Sequence, residues 1–187
     1  MKIRLNWLNR QKLKIMRGIC FKEQLFDLIV NGRKTVTRRM SDRYNVGETL
    51  YLKEPYFVNA DGSIDYKFDH EAKHEKWENK LFMPEKYARH FIRIKDKRKE
   101  NLQDISYPEC LNEGIREYNV ISIESGKKRR TDEFIWENPN TGLWYSSPYE
   151  AFAALIDEIN GKGTWDSNPV VTRYEFELVK LTKKEEK

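Results

Sequence analysis

The sequence predicts an α+β fold, mainly β, with short helices flanking the sheet. Three observations carry this. Residues 170–181 set Tyr174, Phe176 and Leu178 against Arg173, Glu175 and Glu177, the alternation of a half-buried strand. Aromatic residues make up 13% of the chain and recur in short runs with β-branched residues, a composition that favours sheet. Helical signals, by contrast, are confined to brief stretches that end at Gly32, Gly114 and Gly161.

Taken in order, residues 18–21 read as a first strand. Residues 22–30 form a helix through the apolar stripe Leu25, Phe26, Leu28, Ile29 and Val30, ended by Asn31-Gly32. Thr35, Val36 and Thr37 then favour an extended chain, with Thr35, Thr37 and Arg39 on one face and Val36 and Arg38 on the other. Residues 45–52 give a strand entered at Gly47 and closed by Pro55. Residues 59–80 are a polar excursion, read as a long loop or hairpin on one rim. A strand at 90–97 and a turn at 102–105 precede the capping box Ser106-Tyr107-Pro108-Glu109, which opens a short helix over 108–113. Glu113 then sits at a helix C-terminus, where the helix dipole disfavours a carboxylate unless a cation holds it. Lys34 is the expected cation. A strand at 118–124, a basic loop at 125–131 and a hairpin turning at 138–142 follow. A second capping box, Ser147-Pro148-Tyr149-Glu150, opens a helix to about residue 160 whose expected buried stripe is Ala151, Ala154, Leu155 and Ile159.

At 187 residues the chain suits one domain, expected over 16–181, with an N-terminal extension at 1–15 and a charged tail at 182–187. The extension alternates Lys and Arg with Leu and Trp, as an amphipathic helix or a segment apart from the fold would. A formal net charge of +5 favours a polyanionic partner, nucleic acid ahead of a membrane surface. Cys20 and Cys110 lie too far apart for a zinc motif and make no disulfide framework, which favours a reducing, cytoplasmic setting. No apolar run approaches the length that spans a bilayer, and no secretory leader is legible, so no membrane partner is expected.

The chemistry concentrates at Gly32-Arg33-Lys34-Thr35-Val36-Thr37-Arg38-Arg39, where a lysine, a threonine hydroxyl and two arginines crowd one turn. Neighbouring cations weaken the proton affinity of the lysine. A solvated basic turn leading into an edge strand would use the same residues. Gly32, Lys34 and Arg39 match the G-x-K-x-x-x-x-R signature of the ASCH family, a branch of the PUA-like β-barrels, and the chain resembles its bacterial and phage subgroup. The resemblance continues through Val46-Gly47-Glu48-Thr49-Leu50-Tyr51 with Glu54, Met83-Pro84, Ala88-Arg89, Leu102-Gln103-Asp104-Ile105, Glu113-Gly114-Ile115, Asn160-Gly161 and Trp165 to Pro169, and it spans about residues 16–181.

That resemblance implies a PUA-like small β-barrel without a cofactor, acting in a bacterial cell or phage-infected host. Amidohydrolases of the family remove the acetyl group of N4-acetylcytidine with a lysine, a threonine and a glutamate. These carry over to Lys34, Thr37 and Glu113, with Gly32, Arg38, Arg39, Arg89 and Trp165 as substrate or nucleic-acid contacts. Thr37 would attack the acetyl carbonyl, Lys34 would serve as base when neutral, and Glu113 would orient it or pass the proton on. The alternative is an RNA-binding module, or a ribonuclease, in which Lys34, Arg38, Arg39, Arg89 and the 127–130 loop neutralise phosphates and Trp165 stacks on a base. A metal site at His70 and His74 lacks a third ligand, and a solvated charged loop explains that stretch better.

Overall fold

Two helix ends set the geometry of the molecule, a computed structural model that describes residues 16–69, 73–124 and 127–181. Strand β1 (Arg17–Cys20) leads into α1 (Glu23–Val30), which buries Leu25, Phe26, Leu28 and Ile29. The helix closes when Gly32 N–H donates to Ile29 O and Arg33 N–H to Leu28 O, with Gly32 at φ +71°. This paired closure needs a left-handed residue, which glycine supplies without strain. The chain then turns through Lys34 into β2 (Val36–Arg39).

Strands β3 (Thr49–Lys53), β4 (Tyr56–Val58) and β5 (Ile64–Tyr66) come next, the last two pairing as a hairpin whose first strand precedes the 59–80 stretch read as a long loop or hairpin. After short 3-10 turns follow β6 (Phe91–Asn101) and α2 (Tyr107–Asn112), whose capping box between Ser106 and Glu109 is present. The rest comprises β7 (Arg116–Glu124), β8 (Lys127–Glu137), β9 (Trp144–Tyr145), α3 (Pro148–Asn160) and β10 (Val170–Val179).

The fold is α+β and mainly β. Its central sheet has five strands in the order β1-β3-β6-β10-β2, parallel between β1 and β3 and antiparallel elsewhere. Among the described residues no backbone ladder joins the outer strands β1 and β2. Side chains connect them instead. Arg39 on β2 donates to Cys20 O on β1 at 2.9 Å, and beyond β2 the Tyr44 hydroxyl donates to Gly18 O and Arg17 to Arg43 O. One hydrophobic core joins α1, the inner face of this sheet, α2 and α3, with Leu50, Leu52, Ile92, Phe152 and Tyr174 at its centre. Among the described residues no helix is long and apolar enough to cross a membrane.

Some expectations change. Residues 127–130 are the first part of β8 rather than a loop, because Arg130, Arg129 and Lys128 pair in register with Ile121, Ser122 and Ile123 of β7. The buried stripe of α3 is Ala151, Phe152, Leu155 and Ile156, rotated from the expected one, and Ile159 stays 38% exposed. Phe152, the largest apolar side chain available on that helix, decides which face turns inward. Leu178 is exposed although its neighbours on β10 alternate as read, while Arg173 is buried by ion pairing. The expected extension at 1–15, the tail at 182–187 and His70 lie outside the described residues.

Helix α2 ends as α1 does: Gly114 N–H donates to Leu111 O and Ile115 N–H to Cys110 O, with Gly114 at φ +110°. A Cβ at Gly114 would stand 3.0 Å from Leu28 Cδ1 and 3.8 Å from Lys34 Cδ, whereas one at Gly47, also at positive φ, would meet nothing within 4 Å. Gly47→Ala should therefore cost about 1 kcal/mol from backbone strain alone. Gly114→Ala should cost about 2–4 kcal/mol, since crowding adds to the strain. Urea unfolding of the two variants measures the difference.

Candidate functional site

The turn after α1 and the end of α2 are stitched together before any side chain is considered. Thr35 N–H donates to Asn112 O at 3.0 Å, and Thr35 O accepts from Phe176 N–H of β10 at 2.8 Å. This places Lys34 against the C-terminus of α2. The lysine is 2% exposed, and its ammonium gives three hydrogen bonds, to Val36 O (2.8 Å), Glu113 O (2.7 Å) and Glu113 Oε2 (2.5 Å). A lysine has three N–H donors. All of them are engaged. The cation expected beside Glu113 is thus in place, satisfying an orphan carbonyl of the helix end and the carboxylate that the dipole disfavours.

Burial pushes the Lys34 pKa below its ordinary value; the Glu113 carboxylate opposes this, and Arg39 and Arg38 add to the lowering. Arg38, on β2, is held by three carboxylates: Glu100 Oε1 at 2.8 Å, Glu109 Oε2 at 2.8 Å and Glu113 Oε1 at 3.2 Å. Glu109 also accepts from Arg173 Nε at 2.6 Å and Arg98 Nη2 at 2.9 Å. Burial alone would raise the Glu109 pKa, but Arg38, the Ser106 amide and Arg173 outweigh it and hold it below the ordinary carboxylate value.

Lys34, Thr37, Arg38, Arg39 and Glu113 line one pocket of about 200 Å³. Its apolar wall comes from Phe21 and Leu25 on one side and Leu155, Ile156 and Ile159 of α3 on the other. Thr37 is 5% exposed, and its hydroxyl has no hydrogen-bond partner among the described residues. Arg39 lies over the Phe21 ring at 4.8 Å. Gly32 shapes the turn that delivers Lys34 and is exposed, outside the pocket lining.

Two expected contacts stand elsewhere. Arg89 forms a bidentate pair with Glu54, at 2.8 and 2.7 Å, binds Asp69 as well and lies over Tyr66. Its charge is met within the protein, and Glu54 is 0% exposed. Trp165 packs on the core with its ring edge-on to Phe152 at 6.0 Å, and its backbone is tied to Asp157 and Gln103. Neither residue lines the pocket. His74 bonds Asp65 and stacks on Phe57, and no group of three or more potential metal ligands occurs among the described residues.

The reading from sequence missed Cys20, Lys22, Lys80 and the α3 wall, as well as the carboxylates on Arg38. Glu109 was legible as a cap, yet two of its three arginine partners arrive from 71 and 64 residues away and leave no local pattern.

Breaking a buried ion pair from one side costs about 3–5 kcal/mol, while replacing both partners by apolar groups costs much less. Lys34→Met should therefore lower stability by about 3–5 kcal/mol, and Lys34→Met with Glu113→Leu by clearly less than the sum of the single changes. Urea melts in a double-mutant cycle report the coupling. The cysteines should also separate. Burial raises the Cys110 pKa to about 12, whereas Cys20 is part-exposed at the pocket. At pH 8 a maleimide should label Cys20 and spare Cys110 in the folded protein, read by peptide mass mapping.

No family model, curated protein or solved structure matches the chain.

Proposed function

We propose that this pocket hydrolyses the exocyclic acetamide of N4-acetylcytidine, and that the chain is an ASCH-type protein of PUA-like fold. The observation that carries the reading is the meeting of Lys34, Thr37 and Glu113 at one pocket. These residues come from a turn, a strand and a helix end, and they are the three that match the amidohydrolase pattern. The barrel reading draws support from the side-chain bonds that link the outer strands of the central sheet.

Size favours a small ring. A cavity of about 150 Å³ holds benzene. A pocket of about 200 Å³ therefore has room for a pyrimidine with a small substituent, leaving the sugar toward solvent. The apolar wall suits the ring faces, and the polar residues suit the amide.

In the mechanism, Lys34 first passes a proton to Glu113 Oε2 along their 2.5 Å contact, a transfer that burial of the lysine favours. The neutral Lys34 amine then releases a backbone carbonyl and turns its lone pair to Thr37, whose Oγ bonds to the acetyl carbon as its proton moves to that amine. The C–N4 bond breaks as N4 takes that proton back, which leaves cytidine and an acetyl ester on Thr37. Water attacks the ester, giving one proton to Lys34, which hands it to the departing Thr37 oxygen. The other hydrogen leaves with acetic acid, and Glu113 returns its proton to Lys34.

The test is acetate release from N4-acetylcytidine. Thr37→Val keeps the shape and removes a hydroxyl without a protein partner, so stability should change by less than about 1 kcal/mol, the worth of an ordinary hydrogen bond. Acetate release should nonetheless disappear. A wild-type protein that frees no acetate, or a Thr37→Val variant as fast as wild type, removes the proposal.

A second reading, RNA binding without chemistry, is favoured by the β7–β8 ribbon. Its exposed Ile121 (54%) and Ile123 (70%) stand directly opposite Arg130 and Lys128, an apolar and cationic face of the kind that contacts bases and phosphates. That reading requires steeply salt-dependent RNA binding in a protein that releases no acetate.

A further inference from the structure

Among the described residues, the pocket lining carries more positive charge than paired carboxylates balance. Lys22, Lys34, Arg38, Arg39 and Lys80 contribute cations, against the single carboxylate of Glu113. Lys34 and Arg38 are neutralised at close range by Glu113, Glu100 and Glu109. The other three cations form no ion pair among the described residues. Arg39 gives one hydrogen bond, to Cys20 O, from a guanidinium that has five N–H donors. Lys80 gives one to Phe21 O at 2.6 Å. Burial lowers the proton affinity of both; at Lys80, Lys22 and Lys67 add to the lowering while Glu23 opposes it, and at Arg39, Tyr44 and Glu113 oppose it. Glu23 acts on Lys80 and Glu113 on Arg39 without a direct ion pair, and clustered cations that are only partly offset lose free energy that a bound anion restores.

Depth sorts these groups. Lys34 and Thr37 are almost fully buried, Arg39 and Lys80 are part-exposed and Lys22 is exposed. The surplus charge therefore lies at the mouth, outside the proposed amide chemistry. A phosphate offers terminal oxygens to several donors at once, and a guanidinium fork fits them in pairs.

We propose that the mouth of the pocket is an anion subsite, formed by Arg39, Lys80 and Lys22, which takes the phosphate of a nucleotide. The preferred substrate of the site is then a nucleotide of N4-acetylcytidine, as a monophosphate or within a strand, and the product binds as the corresponding cytidine nucleotide more tightly than the neutral nucleoside. This rests on the reading of the pocket as a nucleoside site.

Calorimetric titration of the full chain with cytidine, cytidine 5′-monophosphate and inorganic phosphate tests it without relying on turnover. The monophosphate should bind about tenfold or more tightly than cytidine, the worth of one charge-assisted hydrogen bond. Arg39→Gln should bring that ratio close to one. Because Arg39 also bridges to Cys20 O, a Lys22→Gln/Lys80→Gln variant repeats the test without touching that bridge. Equal affinity for cytidine and its monophosphate in the wild-type protein overturns the anion subsite and leaves the nucleoside reading standing. Phosphate binding that is lost in Arg39→Gln, with no affinity for cytidine, supports the subsite and removes the nucleoside reading. Absence of binding by all three ligands overturns both. The two phosphate sources separate with a single-stranded oligoribonucleotide lacking a terminal phosphate. Tighter binding than the monophosphate assigns the subsite to a phosphodiester, and weaker binding assigns it to a monoester.

Discussion

The contact between Lys34 and Glu113 is the constraint on which the rest of the arrangement depends. Helices α1 and α2 end in the same way, each with a glycine at positive φ that folds the chain back. The end of one helix delivers a lysine, and the end of the other presents a carboxylate and an unmatched carbonyl. Joined, they fix the direction in which β2 leaves, because the same ammonium also holds Val36 O. Burying the two charges is favourable only while this geometry holds. The tight approach of Gly114 to Leu28 and Lys34 is part of the same constraint.

Around this contact, charge is arranged in layers. Arg38 and Arg173 lie on neighbouring positions of paired strands β2 and β10, and both reach Glu109 on α2. Two arginines side by side would repel. Sharing a carboxylate turns that repulsion into a clamp that orients the helix on the sheet. Glu109 does this while capping its own helix through Ser106. The pocket therefore has a rigid inner end, and its surplus of cations is left at the outer end.

Much of the fold could be read from local pattern. The glycine stops after α1 and α2, the Ser106 capping box and the β10 alternation are each written in a few adjacent residues. So is the pairing of Lys34 with Glu113, since a carboxylate at a helix C-terminus calls for a cation. What escaped was set by partners distant in sequence. Arg89 reads as a free cation until Glu54 is found 35 residues away, and Trp165 as a cleft residue until Phe152 is found beneath it. The basic run at 127–130 reads as a loop because nothing local reveals its pairing with 121–124. The buried face of α3 was read as Ala151, Ala154, Leu155 and Ile159, while the bulk of Phe152 turned that residue and Ile156 inward.

The outer strands β1 and β2 bear on the pocket as well as on the sheet. Backbone ladders join neighbouring strands within the central sheet. Between its two edges run a few side-chain bonds, each worth about 0.5–1.5 kcal/mol. Two of the residues so joined, Cys20 and Arg39, also line the pocket. A substitution at either residue therefore acts on the link between the outer strands and on the cavity at once.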